Sequence, residues 1–202
     1  MNQISSPAPP AALPFEKEPP DRKPKNATPR WRQLLGVMFN PAGLIQEQAA
    51  AVSWPKTLLI PGLAFSLFFM QTALDQNFEG MKTLFLTLVG LLYGSVGIIL
   101  VALIAWGGSR MFGGKTKATG AIRSFALAYS PTLVYVMLGF FANTLLGWRT
   151  AIAFGVTGVL WALGPMITSL RQMTGGKTAA SITLATLCGT ILLFGWSLLG
   201  GI

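Results

Sequence analysis

The residues of this chain that could do chemistry are a Gly-Gly-Lys-Thr element, which occurs twice, and one pair of carboxylates. The element occupies 113–116 and 175–178. Gly-Lys-Thr also ends the phosphate-binding pattern G-x-x-x-x-G-K-[ST], whose backbone N–H groups hold a nucleotide's phosphates. The first glycine of that pattern is replaced by Ser109 in one copy and by Arg171 in the other, and neither copy follows a soluble strand. We therefore interpret both copies as tight turns.

The carboxylate pair is Asp75 and Glu79, four residues apart and close to Lys82. A metal or acid–base site would need further ligands from the next loop on the same side, which offers only Arg149. Histidine is absent, which excludes a Ser/His hydrolase, a histidine metal site and a histidine proton relay. We interpret the pair as a solvated helix end, and we predict no enzyme activity, cofactor or metal.

The elements that carry these residues are long uncharged runs. Only 10% of the residues are charged and 52% are hydrophobic, against about 25% charged in an ordinary globular domain. A helix of about 20 apolar residues crosses a bilayer, and only a helix satisfies its own backbone there. The sequence predicts an all-α, polytopic membrane protein with a bundle of five transmembrane helices and a disordered N-terminal tail. The predicted spans are 57–74, 83–106, 122–146, 150–170 and 179–200.

Lysine and arginine predict the orientation. With the N-terminus inside, 13 of the 15 basic residues fall on the cytoplasmic side, as the positive-inside rule favours. The C-terminus is then predicted outside. In a bacterium the protein would be a multi-pass protein of the cytoplasmic (inner) membrane.

The region before the first span divides into two segments. Residues 1–30 hold eight prolines among alanine, lysine and glutamate, which predicts a disordered, basic cytoplasmic tail. Residues 31–56 group their apolar side chains around Trp31 and Phe39, which indicates an interfacial amphipathic segment, with an irregular linker as the alternative. The predicted transmembrane domain then covers 57–202. The Pro-x-x-Pro spacing at 7–10 fits either partner docking or a plain spacer.

Within the spans, small residues recur at four-residue spacing, and neutral polar residues are few. Without a hydrophobic drive in lipid, small residues let helix backbones approach closely, within one bundle or between chains. We interpret Gln71, Tyr135 and Asn143 as helix-to-helix hydrogen-bond partners, and Cys188 as a small packing residue. The candidate packing residues are Gly90 with Gly94, Ala151 with Gly155, and Ala185 with Gly189.

The repeated element lies in two loops that read SRMFGGKTKATGAI and LRQMTGGKTAASIT. Together with FNPAG at 39–43 and FGGKTKATGAIRSFALAYSP at 112–131, these segments resemble the Yip1 domain family from about Leu34 to the end. Tyr129 and Pro131 lie where the family has its Tyr-x-x-Pro-like element in the third span. The resemblance implies five helices, a cytoplasmic N-terminus and, for eukaryotic relatives, vesicle traffic through Rab-type GTPases. This tail shows no clear Asp-Leu-Tyr-Gly-Pro motif, so we do not extend GTPase binding to this chain.

These observations favour a non-enzymatic membrane scaffold or adaptor of the Yip1 type, acting in membrane organisation or trafficking-like processes. Its expected partners are the lipid bilayer, including anionic lipid, and a membrane protein or a second copy, but no nucleic acid. The alternative is a small channel, permease or lipid-moving protein, whose path Pro61, Pro131 and Pro165 would open. The candidate contacts for a partner or headgroup are Arg110, Lys115, Lys117, Arg123, Arg171 and Lys177.

Overall fold

A computed structural model describes residues 53–200, which are helical and contain no strand. The tail at 1–30 and most of the interfacial segment at 31–56 lie outside this range, as do residues 201 and 202. The described helices are α1 (Trp54–Thr57), α2 (Leu59–Asp75), α3 (Gly80–Met111), α4 (Ala118–Ala128), α5 (Ser130–Leu146), α6 (Ala151–Met173) and α7 (Thr178–Gly200).

The predicted fold is confirmed: five helical spans are long and apolar enough to cross a membrane. The first is α1 with α2, and the third is α4 with α5; α3, α6 and α7 are the others. The helices extend beyond several of the predicted bounds, most clearly in α3. With 32 residues at about 1.5 Å each, α3 is about 48 Å long, against a hydrocarbon core of about 30 Å. It therefore tilts or projects beyond the hydrocarbon.

The third span is interrupted at Tyr129, and proline chemistry explains the position. Pro131 is near the first position of α5 and has no N–H to donate back to the carbonyl of Leu127. The Ser130 hydroxyl donates to that carbonyl instead, at 2.7 Å. The span thus bends without leaving this buried acceptor unpaired.

Contacts between loops and helix ends define two ends of the bundle. At one end, which we call the basic end, the α3–α4 and α6–α7 loops meet beside the start of α1. At the other, the acidic end, α2 finishes beside the start of α6, where the Asp75 carboxylate accepts a hydrogen bond from the Ala151 N–H at 2.9 Å. Because five spans separate them, Ser53 and Gly200 lie at opposite ends. That the basic end faces the cytoplasm remains a prediction from the charges.

The most extensive helix contact joins α2 and α3, and two glycines make it possible. A Cβ added to Gly90 would lie 2.5 Å from the Phe65 carbonyl oxygen, and one added to Gly94 would overlap the Pro61 carbonyl. Both glycines are buried, and they bring the α3 backbone directly against the α2 backbone. This pair therefore packs within the chain.

The other predicted small-residue pairs also lie at contacts inside the bundle. A Cβ on Gly155 would lie 2.6 Å from the Trp196 ring, and one on Gly189 would lie 2.9 Å from the Leu163 side chain. Ala151 and Ala185 are buried. These contacts surround a core of large side chains, which includes Phe65, Phe68, Phe69, Phe125, Tyr129 and Met166.

Replacing Gly94 by leucine should destabilise the bundle, because the added side chain must push α2 and α3 apart. Overpacking of this kind costs about 1–3 kcal/mol. The matched control is Gly107→Leu on the same helix, where an added Cβ meets nothing within 4 Å. The measurement is the fraction of monodisperse protein left after heating in detergent. A Gly94→Leu variant as heat-resistant as the control would contradict the close contact.

Candidate functional site at the basic end

The candidate site consists of the two loops that carry the repeated element, residues 112–117 and 174–177. The first loop contacts the end of α6, where the second loop begins: a Cβ added to Gly114 would lie 2.5 Å from the Met173 carbonyl oxygen. A second contact crosses between them, since the Lys177 ammonium lies 5.3 Å from the centre of the Phe112 ring, within cation–π range. The two copies of the element thus form one surface.

Side chains of α3 hold the first loop in place. The indole N–H of Trp106 donates to the Thr116 carbonyl at 2.9 Å, and the Arg110 guanidinium donates to the same oxygen at 3.3 Å. The guanidinium also lies 5.2 Å from the Trp106 ring centre. Gly113 has a φ of +85°, a conformation that other residues rarely adopt. The loop is therefore fixed by its own helix.

The second loop has a different turn, although its four letters are the same. Here both glycines have positive φ, +65° at Gly175 and +89° at Gly176. Buried Thr174 and Ser181 share a hydrogen bond of 2.9 Å across the turn. The preceding helix ends two residues before the glycines in both copies, but α7 begins at Thr178, whereas α4 begins two residues after the equivalent threonine. The repeat is therefore imperfect in three dimensions.

Positive charge at this end is not offset by any described carboxylate. The only acids among residues 53–200 are Asp75 and Glu79, at the acidic end. Of the predicted contact residues, Arg123 is partly buried, and its Nε has no hydrogen-bond partner among the described residues. Lys56 is also at this end and exposed. The other five predicted residues are exposed: Arg110, Lys115, Lys117, Arg171 and Lys177.

This arrangement can bind anionic groups. Fixed loops with several lysines and arginines suit phosphate or carboxylate oxygens. Within residues 53–200, no group of three or more His, Cys, Asp or Glu side chains could hold a metal ion. The chemistry of the surface is therefore electrostatic.

At the acidic end, the structure corrects the interpretation of Asp75 as a solvated helix end. One carboxylate oxygen accepts from the Asn143 amide at 2.6 Å, and the other accepts from the backbone N–H of Ala151 at 2.9 Å. Asn143 also donates to the Trp148 carbonyl at 2.8 Å. Asp75 thus joins α2 to α5 and satisfies a free N–H at the start of α6, where a negative charge is favourable. Glu79 is exposed, as predicted.

Buried amides and hydroxyls extend this connection inward. Gln71 donates to the Val136 carbonyl at 3.0 Å and accepts from the Thr150 hydroxyl at 3.2 Å. The prediction of helix-to-helix hydrogen bonds is thus confirmed for Gln71 and Asn143. For Tyr135 it stays a prediction, since the structure shows only ring contacts of this side chain with Phe154 and Trp161. The part that Thr150 takes was not predicted, because a threonine at the start of a span has no pattern that marks it as a partner of Gln71.

The remaining predicted residues lie in the core. Tyr129 is fully buried, with its ring centre 5.7 Å from that of Phe65, and its hydroxyl has no partner among the described residues. Pro131 lies at the start of α5. Cys188 is buried, with its thiol 3.5 Å from the Val101 carbonyl oxygen. None of the three reaches the surface at the basic end.

We expect Asp75→Asn to destabilise the bundle, because an amide nitrogen would face either the Asn143 amide or the Ala151 N–H, donor against donor. Loss of a helix N-terminal partner costs about 0.5–2 kcal/mol. The control is Glu79→Gln, which changes the same charge at an exposed side chain. Heat resistance in detergent is the measurement. Equal losses in the two variants would show that charge, and not hydrogen bonding, stabilises this end.

Comparison with known proteins assigns no relative. No protein-family model, curated protein or solved structure matches this chain. The resemblance to the Yip1 domain family therefore remains a prediction from the quoted segments, and the chain is established as an integral membrane protein with five candidate spans.

Proposed function

We propose that this protein is a non-enzymatic membrane scaffold or adaptor of the Yip1 type, which presents its basic end to protein partners or anionic lipid. The observation that carries the proposal is the contrast between the two ends. Lys115, Lys117 and Lys177 are exposed on loops that contact one another's helices at the basic end, and no described carboxylate offsets them. Each such residue near an anionic membrane surface contributes about 1 kcal/mol of attraction.

The interior of the bundle supports a scaffold over a transport path. The side chains of Gln71, Thr132 and Thr150 each form a hydrogen bond with a backbone or side-chain group of another helix. Between them, Phe65, Phe68 and Phe69 fill the space against neighbouring helices. No described Asp, Glu, Lys or Arg lies in the middle of a span, where an ion pathway would be marked by such a residue.

One observation favours the alternative of a lipid-moving protein. An apolar groove of about 480 Å³ lies between α3 and α7, with Gly97 and Gly195 among its lining residues. It is open to the surrounding bilayer, so an acyl chain can enter it. Reconstitution separates the two functions: lipid exchange between leaflets that depends on the protein would favour the alternative, and unchanged leaflets would favour the scaffold.

Neutralising the basic loops should weaken binding to anionic membranes. For the triple variant Lys115→Gln, Lys117→Gln and Lys177→Gln we expect about 3 kcal/mol, or roughly a hundredfold weaker binding. The protein is held in neutral-lipid nanodiscs, and its capture of anionic vesicles is measured. The control removes Lys82 and Arg149 from the acidic end, where both are exposed. Equal capture by the triple variant and the unmodified protein would contradict the proposal.

The proposed localisation is the bacterial cytoplasmic membrane, with the basic end inside. It is tested with Lys117→Cys and Glu79→Cys, because the native Cys188 is buried. A membrane-impermeant maleimide applied to spheroplasts should label residue 79 at once and residue 117 only after lysis. Labelling of residue 117 in intact spheroplasts would reverse the orientation.

A further inference from the structure

Three aromatic rings form a ladder on the outer surface of α5 and α6. The Tyr135 ring centre lies 4.8 Å from that of Phe154 and 6.1 Å from that of Trp161, and the Tyr135 and Trp161 ring planes are within 15° of parallel. The Trp161 side chain is 48% exposed. It lies ten residues into α6, about 15 Å from the start of that helix. The ladder therefore reaches the middle of the bilayer.

Two hydrogen-bond donors in this ladder lack an acceptor within the described part of the chain. Neither the Trp161 indole N–H nor the Tyr135 hydroxyl has a hydrogen-bond partner among residues 53–200. Tryptophan and tyrosine usually lie at the membrane surface, where water and headgroups accept their hydrogen bonds. At this depth an acyl chain accepts none, and the headgroups are about 15 Å away. Lipid alone does not satisfy this surface.

Beside the ladder, α6 has a row of smaller side chains on its outer surface. Their spacing of four, seven and four residues keeps them on one side of the helix. A Cβ added to Gly164 would meet nothing within 4 Å. By contrast, the space beside Gly155 and Gly189 is already occupied by side chains of the same chain. The Thr157 hydroxyl has no hydrogen-bond partner among the described residues. The row consists of Ala153, Thr157, Gly164 and Thr168.

We infer that this surface, Tyr135 and Trp161 with the row on α6, binds a second copy of the chain. The surface supplies both sides of a hydrogen bond: donors in Trp161 and Tyr135, and an acceptor in the Thr157 hydroxyl. Side chains on a helix lean toward its N-terminus, so the Trp161 indole reaches the level of Thr157. A two-fold axis along the membrane normal sets equal residues at equal depth, and each copy then offers its donors to the other's acceptors.

The groove between α3 and α7 does not fit a second copy in the same way. Its small residues, Gly97 and Gly195, form the floor, and the bulky exposed side chains of Leu92, Val96 and Leu100 form the rim. A helix about 10 Å wide cannot pass that rim to reach the floor. On α6, by contrast, Ala153 and Gly164 are themselves exposed, and Thr157 and Thr168 are half-buried, which allows close helix contact at the two exposed positions.

Cysteine crosslinking in native membranes tests the surface directly. With Thr157→Cys or Gly164→Cys and a mild oxidant, we expect a covalent species of twice the monomer mass. Leu92→Cys, at a side chain 65% exposed on α3, should stay monomeric, and so should the unmodified chain with its buried Cys188. Absence of a dimer at both positions, or an adduct of any other mass, would overturn the inference.

Energy transfer between labelled copies in vesicles, titrated against lipid, tests the chemistry. Both added leucine side chains enter open space in the single copy, so both variants should fold. Gly164→Leu should abolish dimerisation because residue 164 lies in the proposed contact, while Gly107→Leu, outside that contact, should leave dimerisation unchanged. Trp161→Phe and Tyr135→Phe keep the rings but remove the donors, and each should weaken the dimer by about three- to twentyfold. Helical content and a monodisperse peak report the fold of each variant. Unchanged transfer in Gly164→Leu would refute a second copy at this surface.

Discussion

Hydrocarbon offers no partner to a hydrogen-bonding group, and this constraint explains the contacts of several polar side chains in the bundle. The Ser130 hydroxyl donates to the Leu127 carbonyl, to which Pro131 has no N–H to donate. Gln71 links α2 to α5 by a hydrogen bond to the Val136 carbonyl. Close backbone approach at Gly90 and Gly94 supplies dispersion contacts where water-driven association is missing. Each of these contacts compensates locally for the absence of water in the bilayer.

Much of the fold follows from the sequence because this constraint acts on composition alone. Uncharged runs of sufficient length must be helices, so all five spans were predictable, along with the neutral partners Gln71 and Asn143. The bounds were less so, since the ends of α3 lie where hydropathy no longer distinguishes helix from loop. The bend at Tyr129 depends on how Ser130 compensates for Pro131, which span length does not reveal.

The sites were predictable in part. Charge counting grouped the basic residues at one end, but it could not show that Gly114 contacts Met173 and thereby joins the two loops. The carboxylate of Asp75 looked like a surface group because its partners, Asn143 and Ala151, are distant in sequence. Small-residue spacing identified helix contacts within the chain and missed the row on α6, where Trp161 interrupts the pattern.

The hydrogen bond from Ala151 to Asp75 has a consequence for how the protein is made. The two residues are 76 positions apart, and synthesis at about 5–20 residues per second separates their emergence by about 4–15 s. During most of that interval the Asp75 carboxylate has neither the Ala151 N–H nor the Asn143 amide as a partner, because both follow it in the sequence. The hydrogen bond between Asp75 and Ala151 can form only after α6 has been synthesised, which makes it one of the later contacts of the bundle.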